Sequence, residues 1–225
     1  MRVALFVLVA FTLSGCGLRP MYAGGGSGAV AQGLGAIEVP AIEGRSGWLV
    51  RNALADRFAM EQALRQAVRN GELYLHYQPF IDTRAGKIVG AETLLRWRHP
   101  KMGDVSPAIF VPLLEETGLI HEIGLWTLNS ASRQLNVWRR NGRSDLRLAV
   151  NLSAVQLQNP ALKSLILRTV ASHGLLPDAL EIELTETAAM KDPARTRELF
   201  EQLRDAGFGI AIDDFGSGDS NLNYL

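Results

Sequence analysis

An α/β fold in which helices alternate with parallel strands is predicted by three observations. Apolar segments of strand length alternate with longer segments of helical periodicity through the second half of the chain. Three of these strand segments carry a polar residue at or near their end: Asn151, Glu183 and Asp213. These residues are 32 and 30 residues apart, which is about one strand-helix unit each. Such spacing is typical of a TIM-like (β/α) barrel, whose strand ends meet at one mouth.

Composition excludes several functional classes. The chain has 225 residues, of which 47% are hydrophobic and 20% charged, as expected for a globular protein with a sizeable core. Its 23 Lys and Arg residues balance 23 Asp and Glu residues, so overall charge does not favour binding to a nucleic-acid polymer. Cys16 is the single cysteine, which excludes an intramolecular disulfide and a cysteine-based zinc site. Any bound metal is therefore expected to have oxygen ligands.

The first 16 residues are typical of a secretory signal. Arg2 precedes an apolar run over residues 3–13, which is too short for a transmembrane helix. The run closes in Leu-Ser-Gly-Cys, which resembles a bacterial lipoprotein signal in which Cys16 is lipidated. This lipid would be the chain's only link to a membrane. A buried N-terminal helix with an inert cysteine is the structural alternative.

Residues 17–57 differ from the rest of the chain in composition and in the family that they resemble. The glycine-rich stretch at residues 24–28 predicts a flexible linker. Residues 16–22 (CGLRPMY), together with residues 42–45 and 48–52, resemble the start of the lipopolysaccharide-assembly lipoproteins. That resemblance implies a role at the outer membrane, although the remainder of that family's small α+β domain is not found in this sequence. A second domain is predicted over residues 58–225.

The elements of this second domain follow from periodicity and turn signals. A helical pattern from Met60 to Val68 meets a stop signal at Asn70-Gly71. Strands over residues 73–81 and 88–97, joined by a turn, predict an antiparallel hairpin, so the first strand runs against the second. Further helices are predicted over residues 109–118, 124–140, 161–173 and 193–206, and further strands over 147–151, 180–184 and 209–213.

Two adjacent carboxylates end the last predicted strand. Asp213 and Asp214 follow the apolar run 210–212 and precede a glycine-rich turn. Neighbouring carboxylates repel each other unless a cation or hydrogen-bond donors compensate, so they favour a metal-bound pair. A solvated turn is the alternative. Because a barrel brings its strand ends to one mouth, Asn151 and Glu183 are expected to join them.

Six short motifs follow one another from residue 77 onward: YQP at 77–79, ETLLR at 92–96, FVPLLEETG at 110–118, NLS at 151–153, ELTE at 183–186 and DDFGSG at 213–218. On these motifs, residues from about 60 to the C-terminus resemble the EAL domain, a bacterial phosphodiesterase that hydrolyses cyclic di-GMP to the linear dinucleotide. Thr93 stands where the family name has alanine. The resemblance implies an EAL-type barrel with cyclic di-GMP as ligand and allows a homodimer through this domain.

The resemblance also implies a site. Mg²⁺ or Mn²⁺ would be held by the following residues: Glu92, Asn151, Glu183, Asp213 and Asp214. Glu92, Asp213 and Asp214 are the expected catalytic residues. Gln78, Leu94 and Pro112 would contact the ligand, and Arg96, four residues after Glu92 on the same strand face, is the expected phosphate partner. Glu186 would anchor the loop after Asp214; alternatively, it is an acid at a helix N-terminus.

Two departures from the family pattern bear on activity. Asp219 replaces a usual aromatic residue, and the sequence ends at Leu225, before the strands that would bring the family's catalytic lysine, a glutamate and a glutamine. We therefore expect an incomplete barrel with an open sheet edge and no turnover.

The predicted compartments conflict as well. Cyclic di-GMP signalling is cytoplasmic, whereas a lipoprotein signal exports the protein that carries it. We interpret the chain as a join of two proteins near residues 55–60. Three functions stay open: a phosphodiesterase domain, a degenerate cyclic di-GMP-binding module, or a fragment of a lipopolysaccharide-assembly lipoprotein.

Overall fold

The computed structural model describes residues 45–214, with side chains from residue 56 onward. The chain divides into two units, residues 1–51 and 52–225. The candidate lipidation site at Cys16 and the departure at Asp219 lie outside the described residues. In the part of the chain that is described, no helix combines the length and the apolarity needed to cross a membrane.

The described elements alternate much as the sequence predicts. A helix, α1 (Arg45–Ala67), continues across the predicted domain boundary at residues 57 and 58, and that boundary stays a prediction. The remaining elements follow in chain order: β1 (Leu73–Asp82), β2 (Lys87–His99), β3 (Gly103–Val105), α2 (Pro107–Thr117), α3 (Ile120–Arg140), β4 (Arg147–Asn151), α4 (Leu162–Ser172), β5 (Leu180–Thr185), α5 (Glu186–Ala189), α6 (Pro193–Asp205) and β6 (Gly209–Asp213).

The strands form one mixed sheet in the order β1-β2-β4-β5-β6, with β3 paired to the end of β2. β1 and β2 are antiparallel, which confirms the predicted hairpin. The pairs β2-β4, β4-β5 and β5-β6 are parallel, as expected for strands connected through helices. Among the described strands β1 and β6 lie at the two edges, so this part of the sheet is open.

Most elements of ordinary length begin and end close to their predicted limits, and the short ones were missed. The exception is α1, which begins at Arg45 rather than near the predicted Met60. Residues 45–57 are therefore helical, although they lie in the segment that was predicted to be flexible. β4 and β6 have the predicted bounds, and β5 continues one residue further, to Thr185. The elements that were not predicted from the sequence are β3, α5 and the 3-10 helices Gln156–Gln158 and Pro177–Ala179. Segments of three or four residues are too short for a periodic pattern.

Local signals explain where the helices begin and end. α1 is followed by a turn at Gly71, whose φ of 68° lies in the left-handed region that the predicted stop signal requires. Pro107 opens α2, and Gly118 (φ 73°) ends it. Asp192 caps α6, because its side chain accepts a hydrogen bond of 3.1 Å from the Arg195 backbone N–H.

One face of the sheet, here called the outer face, is covered by helices. Leu148, Ile182 and Leu184 are completely buried in a cluster that also includes residues of α3, α4 and α6. A second cluster lies between α1, the hairpin and α2, where Trp97 meets Phe110 edge to face at 5.8 Å. Helix cover on the outer face leaves the opposite, inner face to carry the polar residues.

Candidate functional site

Alternate residues of the hairpin place several candidate residues on the inner face. Glu92, Leu94 and Arg96 are two residues apart on β2 and therefore share a face. Gln78 is the cross-strand partner of Glu92 on β1 and lies on the same side. Gln78 is exposed, whereas Glu92, Leu94 and Arg96 are half-buried. Pro112 belongs to α2 and is exposed.

The parallel strands bring the remaining candidates to the same face in a staggered row. Asn151 pairs with Glu183, and two residues earlier Ala149 pairs with Glu92. Asp213 pairs with Thr185, two residues beyond Glu183. From β2 to β4, and again from β5 to β6, the candidate residue therefore lies two residues further along the strand direction. Such a stagger is what tilted barrel strands need if their side chains are to meet at one mouth.

Two hydrogen bonds fix the central part of this row. The Asn151 side chain donates from Nδ2 to Glu92 Oε1 at 2.8 Å, joining residues that are 59 positions apart. The Leu152 backbone N–H donates to the Glu183 carbonyl, also at 2.8 Å. The end of β4 is therefore tied to both neighbouring strands. Because the Asn151 amide donates through its nitrogen, its oxygen is the atom that remains for a ligand.

Among the candidate residues, Glu183 has the surroundings that most disfavour a negative charge. Its side chain is buried, with 9% of the residue exposed. Burial, followed by the nearby charges of Glu92, Glu181 and Asp213, raises the pKa of Glu183 from 4.5 to about 7. Glu181 was not among the residues predicted from the sequence, although strand alternation places it on the inner face, two residues before Glu183.

Carboxylate and amide oxygens on one face are the ligand types that Mg²⁺ and Mn²⁺ prefer, and the raised pKa of Glu183 shows that positive charge would be favourable there. The residues therefore fit such a cation in chemical type. Within residues 56–214, however, no three Asp, Glu, His or Cys side chains converge closely enough to hold a metal ion by themselves.

The adjacent pair Asp213-Asp214 ends β6 in a tight turn. The Asp214 backbone N–H donates to Asp213 Oδ1 at 2.9 Å, and Asp214 has a φ of 55°. Positive φ is uncommon for residues other than glycine, but aspartate tolerates it. Both side chains are exposed. The glycine-rich turn predicted to follow lies outside the described residues.

Glu186 is the first residue of α5 and is buried, at 6% exposure. Thr185 caps this helix by accepting a hydrogen bond of 3.3 Å from the Ala188 backbone N–H. The interpretation of Glu186 as an acid at a helix N-terminus is thereby confirmed. Its proposed role as an anchor for the loop after Asp214 stays a prediction, because that loop lies outside the described residues.

A set of contacts behind Asn151 was also not predicted from the sequence. The Ser153 hydroxyl donates to Glu115 Oε1 at 2.5 Å, and its backbone N–H donates to Gln156 Oε1 at 3.0 Å. Glu115 lies on α2, 38 residues before Ser153. Both residues belong to motifs noted in the sequence, and that membership was the only available signal of their importance.

Comparison with known families identifies the fold that these residues build. The model of the EAL domain matches residues 61–225. The chain belongs to the EAL domain family. A bifunctional diguanylate cyclase/cyclic di-GMP phosphodiesterase, MucR of Pseudomonas aeruginosa, is 42% identical over 188 residues, covering 81% of this chain and 27% of MucR. The cyclic di-GMP phosphodiesterase NbdA of the same species is 40% identical over 166 residues, covering 74% of this chain and 21% of NbdA. The EAL chain thus spans about a quarter of these relatives.

Solved EAL structures have the same fold. The MucR phosphodiesterase in complex with c-di-GMP is 44% identical, with a TM-score of 0.71, over 74% of this chain and 68% of that one. The FimX EAL domain from Pseudomonas aeruginosa bound to c-di-GMP is 27% identical, with a TM-score of 0.65, over 76% of this chain and 66% of that one. The mixed α/β fold is therefore shared with proteins that bind c-di-GMP.

Proposed function

We propose that this EAL chain binds cyclic di-GMP together with Mg²⁺ or Mn²⁺ on the inner face of its sheet, and that this site serves hydrolysis of one phosphodiester bond. The observation that carries the proposal is the inner-face row, in which the amide of Asn151 is bonded to Glu92 beside the buried Glu183. Relatives named as cyclic di-GMP phosphodiesterases, and a related structure that holds c-di-GMP, support this ligand.

The cation would be held by four inner-face oxygen donors and by Asp214, which directly follows β6. The four are Glu92, Asn151, Glu183 and Asp213. When bound, it would lower the pKa of a water molecule and neutralise charge that develops on the phosphoryl oxygens. No three acidic or histidine side chains of the described residues form a metal cluster on their own. The proposed ligand set therefore also includes the amide oxygen of Asn151, whose nitrogen donates to Glu92.

The hairpin would contribute to ligand recognition. Arg96 shares the face of Glu92, and one nitrogen of its guanidinium, Nη1, donates to the Leu95 carbonyl at 2.9 Å. This contact occupies one of the five N–H donors of the guanidinium and leaves the others for a phosphate. Gln78 and Leu94 lie on the same face, and Pro112 would approach from α2.

A calorimetric titration tests this proposal. Cyclic di-GMP is added to the full chain in the presence of Mn²⁺ and, separately, in the presence of EDTA. We expect binding that is weakened at least tenfold by EDTA and by Glu92→Gln, with no change for Glu122→Gln, an exposed acid on α3. Equal affinity in all four samples would contradict the proposed site.

Chromatography of the same samples separates catalysis from binding. Appearance of the linear dinucleotide only with Mn²⁺ identifies a phosphodiesterase. Tight binding without product agrees with the expectation of no turnover and limits the proposal for this chain to binding.

Lipidation at Cys16 and a homodimer through the EAL domain stay predictions. Labelling with a radioactive fatty acid, with Cys16→Ser as the control, checks the first, and light scattering of the purified chain checks the second.

A further inference from the structure

The loop that follows β4 is held from two sides at Ser153. Its hydroxyl donates to Glu115 Oε1 at 2.5 Å and also accepts a hydrogen bond of 3.2 Å from the Val155 backbone N–H. Its own backbone N–H donates to Gln156 Oε1 at 3.0 Å. Its carbonyl accepts from the Gln156 N–H, also at 3.0 Å. Every polar group of this serine that could fix the direction of the loop is thus engaged.

These contacts act two residues from Asn151. The intervening Leu152 is tied through its N–H to the Glu183 carbonyl, so the chain between Asn151 and Ser153 has little freedom. The Asn151 amide needs a defined orientation, because its nitrogen must face Glu92 Oε1 if its oxygen is to face a ligand. A substitution that moves Ser153 is therefore expected to move the backbone of Asn151, two residues away, and to change the orientation of its side-chain amide.

The two side chains that bond to Ser153, those of Glu115 and Gln156, are held in place by the packing around them. Glu115 lies on α2. The two residues before it, Leu113 and Leu114, are buried in the core, and the residue after it, Glu116, is exposed. Gln156 is buried, at 4% exposure, and its side-chain amide lies against Gly124 of α3. A methyl group on Gly124 would stand 2.2 Å from Gln156 Nε2, so a larger residue at position 124 would force the glutamine side chain to move.

We infer that Glu115 and Ser153 are positioning residues for the Asn151 amide, and that their hydrogen bond sets the affinity of the inner face for its divalent cation. This inference rests on the proposed function. Neither residue is assigned contact with the cation or the nucleotide. Hydrogen-bond partners behind a metal ligand commonly change metal affinity by about 10- to 100-fold when they are removed.

Mn²⁺ binding to the full chain tests the inference without any requirement for turnover. Free Mn²⁺ gives an electron paramagnetic resonance signal that is lost on binding, so a titration yields the dissociation constant. We expect Ser153→Ala and Glu115→Gln each to weaken Mn²⁺ binding about tenfold, and the double variant to be no weaker than either single variant. Ser153→Thr, which keeps the hydroxyl, should restore the wild-type affinity.

Glu116→Gln is the matched control, because it changes the next residue of α2, whose carboxylate pairs with Arg57 instead. A purely structural role would lower the melting temperature of the variants but leave the Mn²⁺ affinity of the folded chain unchanged, so melting temperatures are measured on the same samples.

Gly124→Ala provides a second approach from another helix. Alanine normally favours a helix over glycine, so this variant should fold. The added methyl group should nevertheless displace Gln156 and weaken Mn²⁺ binding.

The outcomes separate the two proposals. If the wild-type chain binds Mn²⁺ and the Ser153→Ala and Glu115→Gln variants match it, the positioning role is overturned and the proposed function stands. If the wild-type chain takes up no Mn²⁺ at millimolar concentration, both are overturned.

Discussion

The two faces of the described sheet differ in both burial and charge. On β5, Ile182 and Leu184 point to the outer face and are completely buried, whereas Glu183 between them points to the inner face and meets other carboxylates. A shift of one residue in register would exchange the two sets. Apolar burial on the outer face therefore fixes which side chains the inner face receives.

Stability and function are thus assigned to alternate residues of the same strands. Outer-face side chains stabilise the fold by burial, at roughly 25 cal/mol for each Å² of apolar surface. The inner-face carboxylates place several negative charges close together. The raised pKa of Glu183 shows that ionising this buried carboxyl beside the others costs free energy. Substitutions on the outer face should lower stability, whereas neutralising an inner-face carboxylate should raise it while removing cation binding.

The largest effect is expected at Ile182. Ile182→Ala removes a completely buried side chain from the centre of β5 and leaves a cavity beneath α3 and α4. We expect the free energy of unfolding to fall by about 2–5 kcal/mol, measured by urea denaturation. Ile81→Ala is the control, because Ile81 is 58% exposed, and it should change stability by no more than about 0.5 kcal/mol. Equal losses for the two variants would mean that the outer face is not the principal source of stability.

A smaller effect of opposite sign is expected at Glu183. Its folded-state pKa of about 7 lies above the ordinary value of 4.5, so between these values the folded chain holds a proton that the unfolded chain has lost. The stability that this proton provides is complete below pH 4.5 and is lost as the pH rises through 7.

Glu183→Gln removes this dependence. Without divalent cations, the variant should match the wild-type chain at about pH 4 and exceed its free energy of unfolding by on the order of 2 kcal/mol at about pH 8. Urea denaturation at the two pH values measures the difference. Addition of Mn²⁺ at the higher pH should stabilise only the wild-type chain. A constant difference between the two chains across this pH range would show that the inner-face charges do not oppose folding.

The difference between the outer and inner faces also explains how much of the fold and of the site could be predicted from the sequence. The outer face has a local signature, because apolar residues recur at strand and helix periods, so the limits of β4 and β6 and the parallel connections followed from it. Inner-face candidates such as Asn151 and Asp213 followed from their places at strand ends. The contact of Ser153 with Glu115 could not be predicted, since it joins elements 38 residues apart and leaves no periodic pattern. The raised pKa of Glu183 likewise depends on neighbouring carboxylates, whose proximity only the folded sheet creates.

The smallest expected effect tests the outer face at a polar strand position on β2, Thr93. Its side chain is 2% exposed, and its hydroxyl has no hydrogen-bond partner among the described residues. A buried hydroxyl without a partner costs free energy, so Thr93→Val, which keeps the shape and removes the hydroxyl, should raise the free energy of unfolding by about 1 kcal/mol. Thermal or urea denaturation measures the change.

Thr196 is the matched control for this substitution. It is also buried, at 5% exposure, but its hydroxyl donates to the Ala189 carbonyl at 3.2 Å. Thr196→Val would leave that carbonyl without its partner, so the same chemical change should destabilise the chain by about 1 kcal/mol. Opposite signs for the two variants would show that a buried hydroxyl stabilises this core only where it is paired, whether it comes from the outer face or from a helix that covers it. A loss of stability at Thr93 would instead mean that its hydroxyl makes a favourable contact in solution, and the contrast between the two faces would then be weaker than the burial pattern indicates.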